Sequence, residues 1–529
     1  MTNSTAERQF NRATALERLA SETFDVLVVG AGITGAGVAL DAASRGLRTA
    51  LVEERDFAYG TSSKSSKMVH GGIRYLQQGD VKLVWQALRE RQSLLKNAPH
   101  LVRPLPFLIP AYGSRAKMRA ISAALWTYDL IGGFRIGSLH RRLSVSDTLS
   151  RSPALRLDGL VGGHLYLDAH ADDARLTLAV VRTAVLDHRA VAVNHVAVTG
   201  LSSGSAGRVA GATVRADGRE FEVQASVVVN AAGVWADELS GDGQVTIRPA
   251  KGVHVTVPAG RGQTDVALVL AVPSDGRSIF VVPWPGTDRV YIGTTDTDYD
   301  GPLDAPLCTA ADVAYLLDAV NAALTTDLTV GDVVGTWAGL RPLVAGAASS
   351  HSADLSRRHR VTSSRPGLVA IGGGKLTTYR AMAADTVDQV EEELGRPHIA
   401  SRTARMPLRG AAGAGDSHLA ARYGSEARVL DALVAGDASL AEPLVPSLPY
   451  LRAEALYAAR YEMARTLDDV LARRTRALIL ARDASVAAAP DVARLLASEL
   501  GWSEADQAAQ VASYRANVES ERMAALDGD

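Results

Sequence analysis

The feature that most constrains the fold is an apolar strand near the amino terminus that runs into a glycine-rich turn and a helix. Residues 24–29 are mostly apolar and β-branched, and residues 36–44 are typical of a helix. Between them lie Gly30, Gly32 and Gly35. These glycines permit a tight turn, close approach of a pyrophosphate, and close packing of helix on strand, respectively. The pattern predicts a dinucleotide site at the helix amino terminus; the alternative is a tight turn without a ligand.

A second predicted strand, residues 48–52, ends at an acidic residue with a characteristic spacing. Glu53 follows Gly32 by 21 positions. This spacing places a carboxylate on the ribose hydroxyls of the adenosine. A carboxylate there disfavours a 2′-phosphate, which leaves FAD and NAD as candidates.

Two further glycine turns favour FAD. The apolar run 227–229 leads into small residues, then Gly233 and Trp235, and the run 368–371 leads into a turn at 372–378. Amides and the helix dipole at the later turn can stabilise negative charge on the pyrimidine end of a reduced flavin. Turns so far apart in the sequence suit a discontinuous flavin domain better than a compact NAD module. The cofactor-binding candidates in the later turn are Gly373, Gly374, Lys375, Leu376 and Thr377.

The segment TSSKSSKMVHGGIRYL, residues 61–76, closely resembles the segment after the second strand in FAD-dependent glycerol-3-phosphate dehydrogenases. The resemblance extends over about residues 22–520, in the family's order. Its other blocks are residues 251–254, 292–296, 339–343, 356–359, 373–380 and 466–476. One departure is Arg358, which stands where the family pattern has an acidic residue. The resemblance implies a flavoprotein that oxidises sn-glycerol 3-phosphate to dihydroxyacetone phosphate, with hydride passing from C2 to FAD N5 and electrons to membrane quinone.

The predicted fold class is α/β, with a discontinuous Rossmann-like FAD-binding domain, an antiparallel-sheet substrate domain and a C-terminal all-helical domain. The length of 529 residues agrees with several domains. The expected flavin segments are 22–80, 160–240 and 350–400, the substrate segments 81–159 and 241–349, and the helical segment 401–529. Short β-branched runs at 253–257, 278–282 and 290–294 predict the substrate sheet. The helical domain is predicted from residues 451–467, 470–479 and 490–500.

A phosphate monoester requires cations, and four basic residues lie within the family blocks. They are Arg74, Arg341, Arg357 and Lys375. Arginine forks bind phosphate oxygens in a bidentate manner, although most arginines in a chain are surface groups. Tyr75 is a candidate hydrogen-bond donor to the phosphate or a hydroxyl group.

Oxidation of a secondary alcohol also requires a group that removes the hydroxyl proton. His254 has an ordinary pKa near the operating pH and is the predicted general base. In the alternative, His254 only hydrogen-bonds the substrate and Arg341 polarises the C2 oxygen. His70 is a second candidate, but the adjacent Gly71 favours close backbone approach to the cofactor. Lys375 completes the predicted catalytic set.

Hydroxyl groups and one charge along residues 61–67 are predicted to line the cofactor. The candidates are Thr61, Ser62, Ser63, Ser65, Ser66 and Lys67, together with His70 and Gly71. The single cysteine, Cys308, lies outside every flavin motif, so we expect non-covalent FAD. No metal site is expected.

Charge is nearly balanced overall but not locally. The net charge of −2 argues against nucleic-acid binding. Residues 81–120 contain eight basic residues and one acidic residue, interleaved with apolar and aromatic ones. This composition is typical of a segment that contacts anionic lipid, or of a solvated helix face over the flavin domain.

No signal sequence or transmembrane helix is predicted, and the cysteine content suits a reducing compartment. We therefore expect a cytoplasmic protein, peripherally associated with the inner face of the cell membrane, and compatible with a homodimer. Two other functions stay open. One is a glycerol-3-phosphate oxidase that reduces dioxygen to peroxide, and the other is a non-catalytic flavin-binding scaffold.

Overall fold

A computed structural model describes residues 10–77, 79–132, 138–240, 246–272, 275–344 and 358–526. The side chains of Arg74, Gln77, Lys117 and Ser240 lie outside this description. The strands are β1 (Thr23–Val29), β2 (Thr49–Val52), β3 (Met68–Val69), β4 (Val102–Tyr112), β5 (Arg141–Leu143), β6 (Leu160–Ala171), β7 (Val191–Val193), β8 (Ala197–Ser203), β9 (Val209–Ala216), β10 (Arg219–Asn230), β11 (Ile247–Pro258), β12 (Ala267–Ala271), β13 (Ser278–Pro283), β14 (Arg289–Gly293), β15 (Thr297–Asp298), β16 (Gly335–Val344), β17 (His359–Arg365) and β18 (Leu368–Gly373).

The helices surround two sheets and form the carboxyl-terminal part of the chain. They are α1 (Arg12–Ser21), α2 (Ile33–Ser44), α3 (Arg74–Gln77), α4 (Val81–Asn97), α5 (Arg115–Gly132), α6 (Val145–Arg151), α7 (Asp173–His188), α8 (Ala236–Ser240), α9 (Ala259–Gly262), α10 (Ala310–Ala323), α11 (Tyr379–Glu393), α12 (His418–Tyr423), α13 (Ala427–Gly436), α14 (Arg452–Tyr461), α15 (Ala477–Leu480), α16 (Arg482–Leu500) and α17 (Glu504–Leu526). Within the described ranges, no helix combines the length and apolar composition that a membrane span requires.

The first sheet has the strand order β17-β18-β10-β1-β2-β7. Strands β18, β10, β1, β2 and β7 are parallel, and β17 is antiparallel to β18. Six of the seven residues of β1 are buried, as expected for a parallel strand covered on both faces. Helix α2 packs between α7 and α11. Because the strands are parallel, the glycine turns after β1, β10 and β18 meet at one edge of the sheet.

The second sheet has ten strands and is largely antiparallel. Strands β11, β13 and β14 contain the three runs that the sequence assigned to the substrate sheet. The long strands β4 and β6 pair along their length within the same sheet. The sequence placed residues 160–171 in the flavin domain, whereas β6 belongs to this second sheet because it pairs with β3, β4 and β5.

Residues 81–120 form two helices separated by a strand. Helix α4 and strand β4 bury many of the apolar residues in this range, and Phe107 and Leu108 are completely enclosed. These side chains therefore belong to the core and do not face a membrane, which corrects part of the interpretation of this segment. The remaining exposed apolar residues lie on α4 and α5.

The C-terminal helical domain differs in detail from the sequence expectation. Helix α14 ends at Tyr461, and residues predicted as one helix at 470–479 form a π-helical turn (Asp469–Arg474) followed by α15. Arg476 separates the two with a φ of +62°, which interrupts regular helix. Helix α16 starts at Arg482 and accommodates Pro490 in its interior. The α/β fold class with a helical C-terminal domain is nevertheless confirmed.

Candidate active site

A cavity of about 680 Å³ is lined by residues from both sheets. On the first sheet its wall is formed by the turns at the carboxyl ends of the parallel strands, and on the second by strands β11, β13 and β16. The sequence-predicted residues that line it are Gly30, Gly32, Glu53, Thr61, Ser62, Ser65, Ser66, His70, Tyr75, Gly233, Trp235, His254, Arg341, Gly373, Gly374, Lys375, Leu376 and Thr377. The fold thus brings together residues more than 300 positions apart.

The first glycine turn is tightly packed against the turn after β10. Gly30 has a φ of +96°, and a Cβ there would lie 2.8 Å from the Ala231 carbonyl oxygen. Gly35 does not line the cavity. A Cβ on Gly35 would instead overlap the Gly30 carbonyl oxygen, so its absence lets α2 pack against the turn. This is the packing role that the sequence pattern predicts for the third glycine.

The carboxylate at the end of β2 is held by main-chain amides. Glu53 Oε2 accepts a hydrogen bond from Ala31 N at 2.7 Å, and Oε1 accepts one from Arg55 N at 3.0 Å. Burial raises the pKa of Glu53, and the two amides oppose this shift. The side chain lines the cavity, as residues 198–201 do. The position is compatible with the predicted contact to a ribose.

The serine segment contributes to the cavity in different ways. Ser62 Oγ accepts a hydrogen bond from Ile33 N at 2.8 Å, and it thereby caps the amino terminus of α2. Three of the predicted cofactor contacts in this part of the chain do not line the cavity. They are Ser63, Lys67 and Gly71. Lys67 Nζ lies 3.3 Å from Asp173.

The third glycine turn meets the loop after β3. Gly373 and Gly374 have φ values of +77° and +86°, which explains the requirement for glycine. Thr377 Oγ1 accepts a hydrogen bond from His70 N at 3.1 Å. Lys375 Nζ lies 3.5 Å from the centre of the Tyr75 ring. The predicted substrate residues Lys375 and Tyr75 are therefore in direct contact.

His254 is held in place by stacking and by one hydrogen bond. Its ring is stacked on Trp337, with centroids 4.6 Å apart and planes 7° apart. Nε2 lies 2.8 Å from Ser66 Oγ. Burial lowers the pKa of His254 well below its ordinary value, and the positive charges of Lys67 and Arg341 add to this effect. The imidazole is therefore neutral at physiological pH and can accept a proton.

Arg341 is fixed beside a loop of the second sheet. Its Nη1 lies 3.3 Å from Asp296 Oδ1, and its Nη2 donates to Thr294 Oγ1 at 3.2 Å and to Thr295 O at 3.1 Å. The side chain is 26% exposed. It lines the cavity together with His254. This arrangement orients the guanidinium without enclosing it.

Sequence reasoning missed Arg277, which lines the same cavity. Its Nη1 donates to Asp296 O at 3.0 Å, so Arg277 and Arg341 converge on one residue. The only sequence signal is a basic residue immediately before β13. The side chain of Arg74, on the first residue of α3, and all of Arg357 lie outside the described residues.

Lys251 and Cys308 lie away from the cavity lining. Lys251 Nζ pairs with Asp312 at 2.7 Å. Cys308 is buried in the core of the substrate domain, and burial raises the pKa of its thiol to about 12. A thiol in this position is protonated and is not a cofactor ligand.

The cavity fits an elongated dinucleotide such as FAD. Gly32, at the amino terminus of α2, lines the cavity, and so do Gly373 and Gly374 in the turn at the end of β18. Glu53 would hold the adenosine end, and residues 373–377 the isoalloxazine end. When bound, FAD supplies the hydride acceptor for alcohol oxidation.

We predict that Gly32→Val weakens FAD binding by about 1–3 kcal/mol, or roughly 5- to 150-fold. A Cβ at this position would lie 3.1 Å from Ser62 Oγ, and the rest of the valine would enter the space that a pyrophosphate needs. FAD affinity is measured by flavin fluorescence on the apoprotein. Gly260→Val is the control, because a Cβ there meets no atom within 4 Å. Equal FAD affinity in wild type and Gly32→Val would contradict the assignment.

Comparisons with known proteins show the family of the chain. The family model described as FAD dependent oxidoreductase matches residues 25–388, and the model described as C-terminal domain of alpha-glycerophosphate oxidase matches residues 370–507. Glycerol-3-phosphate dehydrogenase 2 of Mycobacterium tuberculosis is 44% identical over 98% of this chain and 92% of its own length. The glycerol-3-phosphate dehydrogenase of Mycobacterium leprae is 42% identical with the same coverage.

Solved structures show the same likeness. The glycerol-3-phosphate dehydrogenase from Bacillus halodurans complexed with FAD has a TM-score of 0.78 and 32% identity, and covers 99% of this chain and 98% of its own. The L-alpha-glycerophosphate oxidase of Mycoplasma pneumoniae, at 18% identity and a TM-score of 0.57 over 73% of this chain and 99% of its own, shares the fold. The prediction of an FAD cofactor is confirmed. The chain belongs to the family of FAD-dependent glycerol-3-phosphate dehydrogenases.

Proposed function

We propose that this flavoprotein oxidises sn-glycerol 3-phosphate to dihydroxyacetone phosphate and passes the electrons to membrane quinone. The observation that carries the proposal is that a neutral histidine and several cations line one cavity. His254, Arg277, Arg341, Lys375 and Tyr75 all line it, and the charge of Arg341 acts on His254. In a small phosphorylated alcohol, the phosphate complements the positive charge of the site and the hydroxyl group supplies a proton for the histidine to accept.

Each of these residues has a distinct task in the proposed reaction. His254 takes the C2 hydroxyl proton at Nε2, beside Ser66 Oγ. Arg341 polarises the C2 oxygen and, with Arg277 and Lys375, binds the phosphate through charge-assisted hydrogen bonds. The enclosure of His254 excludes water from the imidazole and keeps it neutral.

The decisive experiment is an anaerobic absorption spectrum of the holoenzyme with glycerol 3-phosphate added. We expect loss of the flavin absorbance on addition, and its return on addition of a soluble quinone. A spectrum that no polyol phosphate changes would identify a non-catalytic flavin scaffold. Stoichiometric peroxide in air without an added acceptor would identify an oxidase and reject the quinone proposal.

We predict that Arg341→Met lowers kcat/KM for glycerol 3-phosphate by roughly 10- to 150-fold, because charge-assisted hydrogen bonds of about 1.5–3 kcal/mol are lost. Arg277→Met should show a smaller loss that is confined to the phosphorylated substrate. If Arg357 also binds the phosphate, Arg357→Met should behave like Arg277→Met. The measurement is kcat/KM for glycerol 3-phosphate and for glycerol, at equal flavin content.

The control for these variants is Arg289→Met, because Arg289 lies on the same sheet and donates to Leu480 O at 2.8 Å, outside the cavity lining. It should leave the ratio of the two kcat/KM values unchanged. If Arg341→Met and Arg277→Met both keep full discrimination between the two alcohols, the phosphate binds elsewhere.

The proposed membrane contact is a patch on α4 and α5. Trp85, Trp126 and Leu130 are between 44% and 62% exposed. The Arg89 guanidinium lies 5.4 Å from the centre of the Trp85 ring. Arg115, the first residue of α5, is also exposed. Exposed aromatic and basic residues together suit the interface of an anionic membrane. The patch supports a location at the inner face of the cell membrane, where quinone is available.

We predict salt-sensitive binding to vesicles of phosphatidylcholine with anionic phosphatidylglycerol. Each exposed basic residue contributes about 1 kcal/mol near such a surface, and salt screens this attraction. Charge reversal at Arg115, Lys117 and Arg119 should weaken sedimentation with vesicles, and Trp126→Ala should weaken the salt-resistant part. Reversal of Arg215 and Arg219, which are exposed on β9 and β10, is the control. Unchanged binding of both patch variants would contradict this surface.

A further inference from the structure

One buried arginine of the C-terminal helical domain contacts two aspartates near the active site. Arg476 is 1% exposed, and its guanidinium donates to Asp173 Oδ1 and, at 3.0 Å, to Asp172 Oδ1. Asp172 caps the amino terminus of α7, and Asp173 is the first residue of that helix. The ion pair therefore joins the helical domain directly to a helix of the flavin domain.

Asp173 in turn holds the serine segment beside the cavity. Its Oδ2 accepts hydrogen bonds from Ser65 N at 3.0 Å and from Ser65 Oγ at 2.6 Å. Both carboxylate oxygens lie 3.3 Å from Lys67 Nζ. Asp173 and Lys67 are both buried. Asp173 is therefore a main buried contact of residues 65–67, alongside the hydrogen bonds from Lys67 Nζ to Ser63 O and from the Tyr291 hydroxyl to Ser66 O.

The same segment contacts His254 from two directions. Ser66 Oγ lies 2.8 Å from His254 Nε2. The Lys67 ammonium lies 4.7 Å from the centre of the Trp337 ring, and Trp337 is also stacked on His254. Trp337 Nε1 also donates to Ser65 O at 3.3 Å. A shift of residues 65–67 would therefore move both the hydrogen-bond partner and the stacking partner of His254.

We propose that Arg476, Asp173 and Lys67 form a positioning network through which the C-terminal helical domain fixes the orientation and electrostatic surroundings of His254. The inference rests on the proposed function of His254 as the proton acceptor. All three residues lie outside the cavity lining, so they act through the serine segment and Trp337 and not on the substrate. In a buried setting, the Lys67 charge disfavours protonation of the nearby imidazole.

The electrostatic part of the network is tested by titration of His254 without turnover. The FAD-loaded enzyme is labelled with 13C at histidine Cε1, and the His254 signal is assigned by its loss in His254→Asn. The charged groups that act on His254 are Lys67 and Arg341. Tyr291 is a further titratable group, and its ring centroid lies 6.3 Å from that of His254. We expect Lys67→Met to raise the His254 pKa towards the ordinary value of about 6.5.

Lys251→Met is the matched control. Lys251 is also a largely buried lysine paired with an aspartate, three residues before His254 on β11, but its partner is Asp312. It should leave the His254 titration unchanged. An unchanged titration in Lys67→Met, or an equal shift in both variants, would overturn the electrostatic role.

The positioning part is tested with Arg476→Met and Arg476→Lys at equal flavin content. We expect Arg476→Met to lower kcat about 10- to 100-fold with little change in KM, because small displacements of a catalytic group are costly. Arg476→Lys should recover part of this loss. Wild-type kcat in a folded Arg476→Met enzyme would overturn the inference. If His254→Asn keeps wild-type kcat, the proposed role of His254 fails, while the titration still decides whether Lys67 acts on the imidazole.

Discussion

Replacement of His254 by asparagine is expected to lower kcat for glycerol 3-phosphate by about 10²- to 10⁴-fold, the usual contribution of a general base. Asparagine keeps a polar group near Ser66 but cannot accept a proton at neutral pH. Because His254 Nε2 lies 2.8 Å from Ser66 Oγ, in a segment predicted to line the cofactor, the flavin content of the variant is measured first. The measurement is kcat and kcat/KM over pH 5–9 at equal flavin content.

The pH profile gives this prediction a definite sign. The pKa of His254 is lowered well below its ordinary value of 6.5, mainly by burial. The wild-type kcat, which does not depend on ionisation of the free substrate phosphate, should therefore stay constant from neutral pH downwards and fall only as the pH drops through that lowered pKa. The asparagine variant should lose this acidic limb.

His164→Asn is the control, because His164 is another fully buried histidine on the second sheet, outside the cavity lining. It should keep the wild-type pH profile. If His254→Asn retains kcat within tenfold, His254 only hydrogen-bonds the substrate, and polarisation by Arg341 is the better account of the chemistry.

The sequence predicted the parts of the site that depend on local backbone geometry. Gly30, Gly373 and Gly374 have conformations or contacts that require glycine, so the sequence alone predicts the turns in which they lie. The catalytic candidates His254 and Arg341 came from the family resemblance, and they converge because β11 and β16 are paired with His254 opposite Trp337. Pairing between strands more than 80 residues apart in the chain leaves no pattern in the local sequence.

The same limitation explains what the sequence missed. Strand β4 lies in a segment that mixes apolar and basic residues, as an interfacial segment does, and its pairing with β6 shows that Phe107 is core. Arg277 carries no motif, and its place in the cavity follows from the antiparallel pairing of β13 with β14. Lys67 lies within a flavin motif, but the buried Asp173 directs its side chain away from the cavity.

The largest effect on stability is expected at the contact between the flavin domain and the helical domain. Asp56, just after β2, is fully buried and accepts hydrogen bonds from two arginines of the π-helical turn. Its Oδ2 lies 2.7 Å from Arg473 Nε and 2.6 Å from Arg474 Nη1, and its Oδ1 lies 2.8 Å from Arg474 Nη2. Asn194 Nδ2 donates to the same carboxylate at 3.0 Å. One carboxylate therefore offsets part of the positive charge of two buried guanidinium groups.

We predict that Asp56→Asn lowers the free energy of unfolding by about 3–5 kcal/mol, because it removes the main carboxylate partner of buried Arg474 and one of three carboxylate partners of buried Arg473. The change keeps the size of the side chain, so lost packing does not explain the effect. Asp468→Asn is the matched control. Asp468 pairs with Arg473 at 2.6 Å but is 30% exposed, so its loss should cost only about 0–1 kcal/mol.

The measurement is urea unfolding followed by circular dichroism, on apoprotein and on enzyme saturated with FAD, since bound cofactor adds stability that would mask part of the change. The Asp56→Asn effect should persist in high salt, because a buried pair is screened much less than an exposed one. Limited proteolysis should reveal earlier cleavage of the helical domain in this variant. If Asp56→Asn and Asp468→Asn destabilise the protein equally, the Asp56 cluster does not hold the two domains together, and other contacts such as the Arg476 ion pair anchor the helical domain.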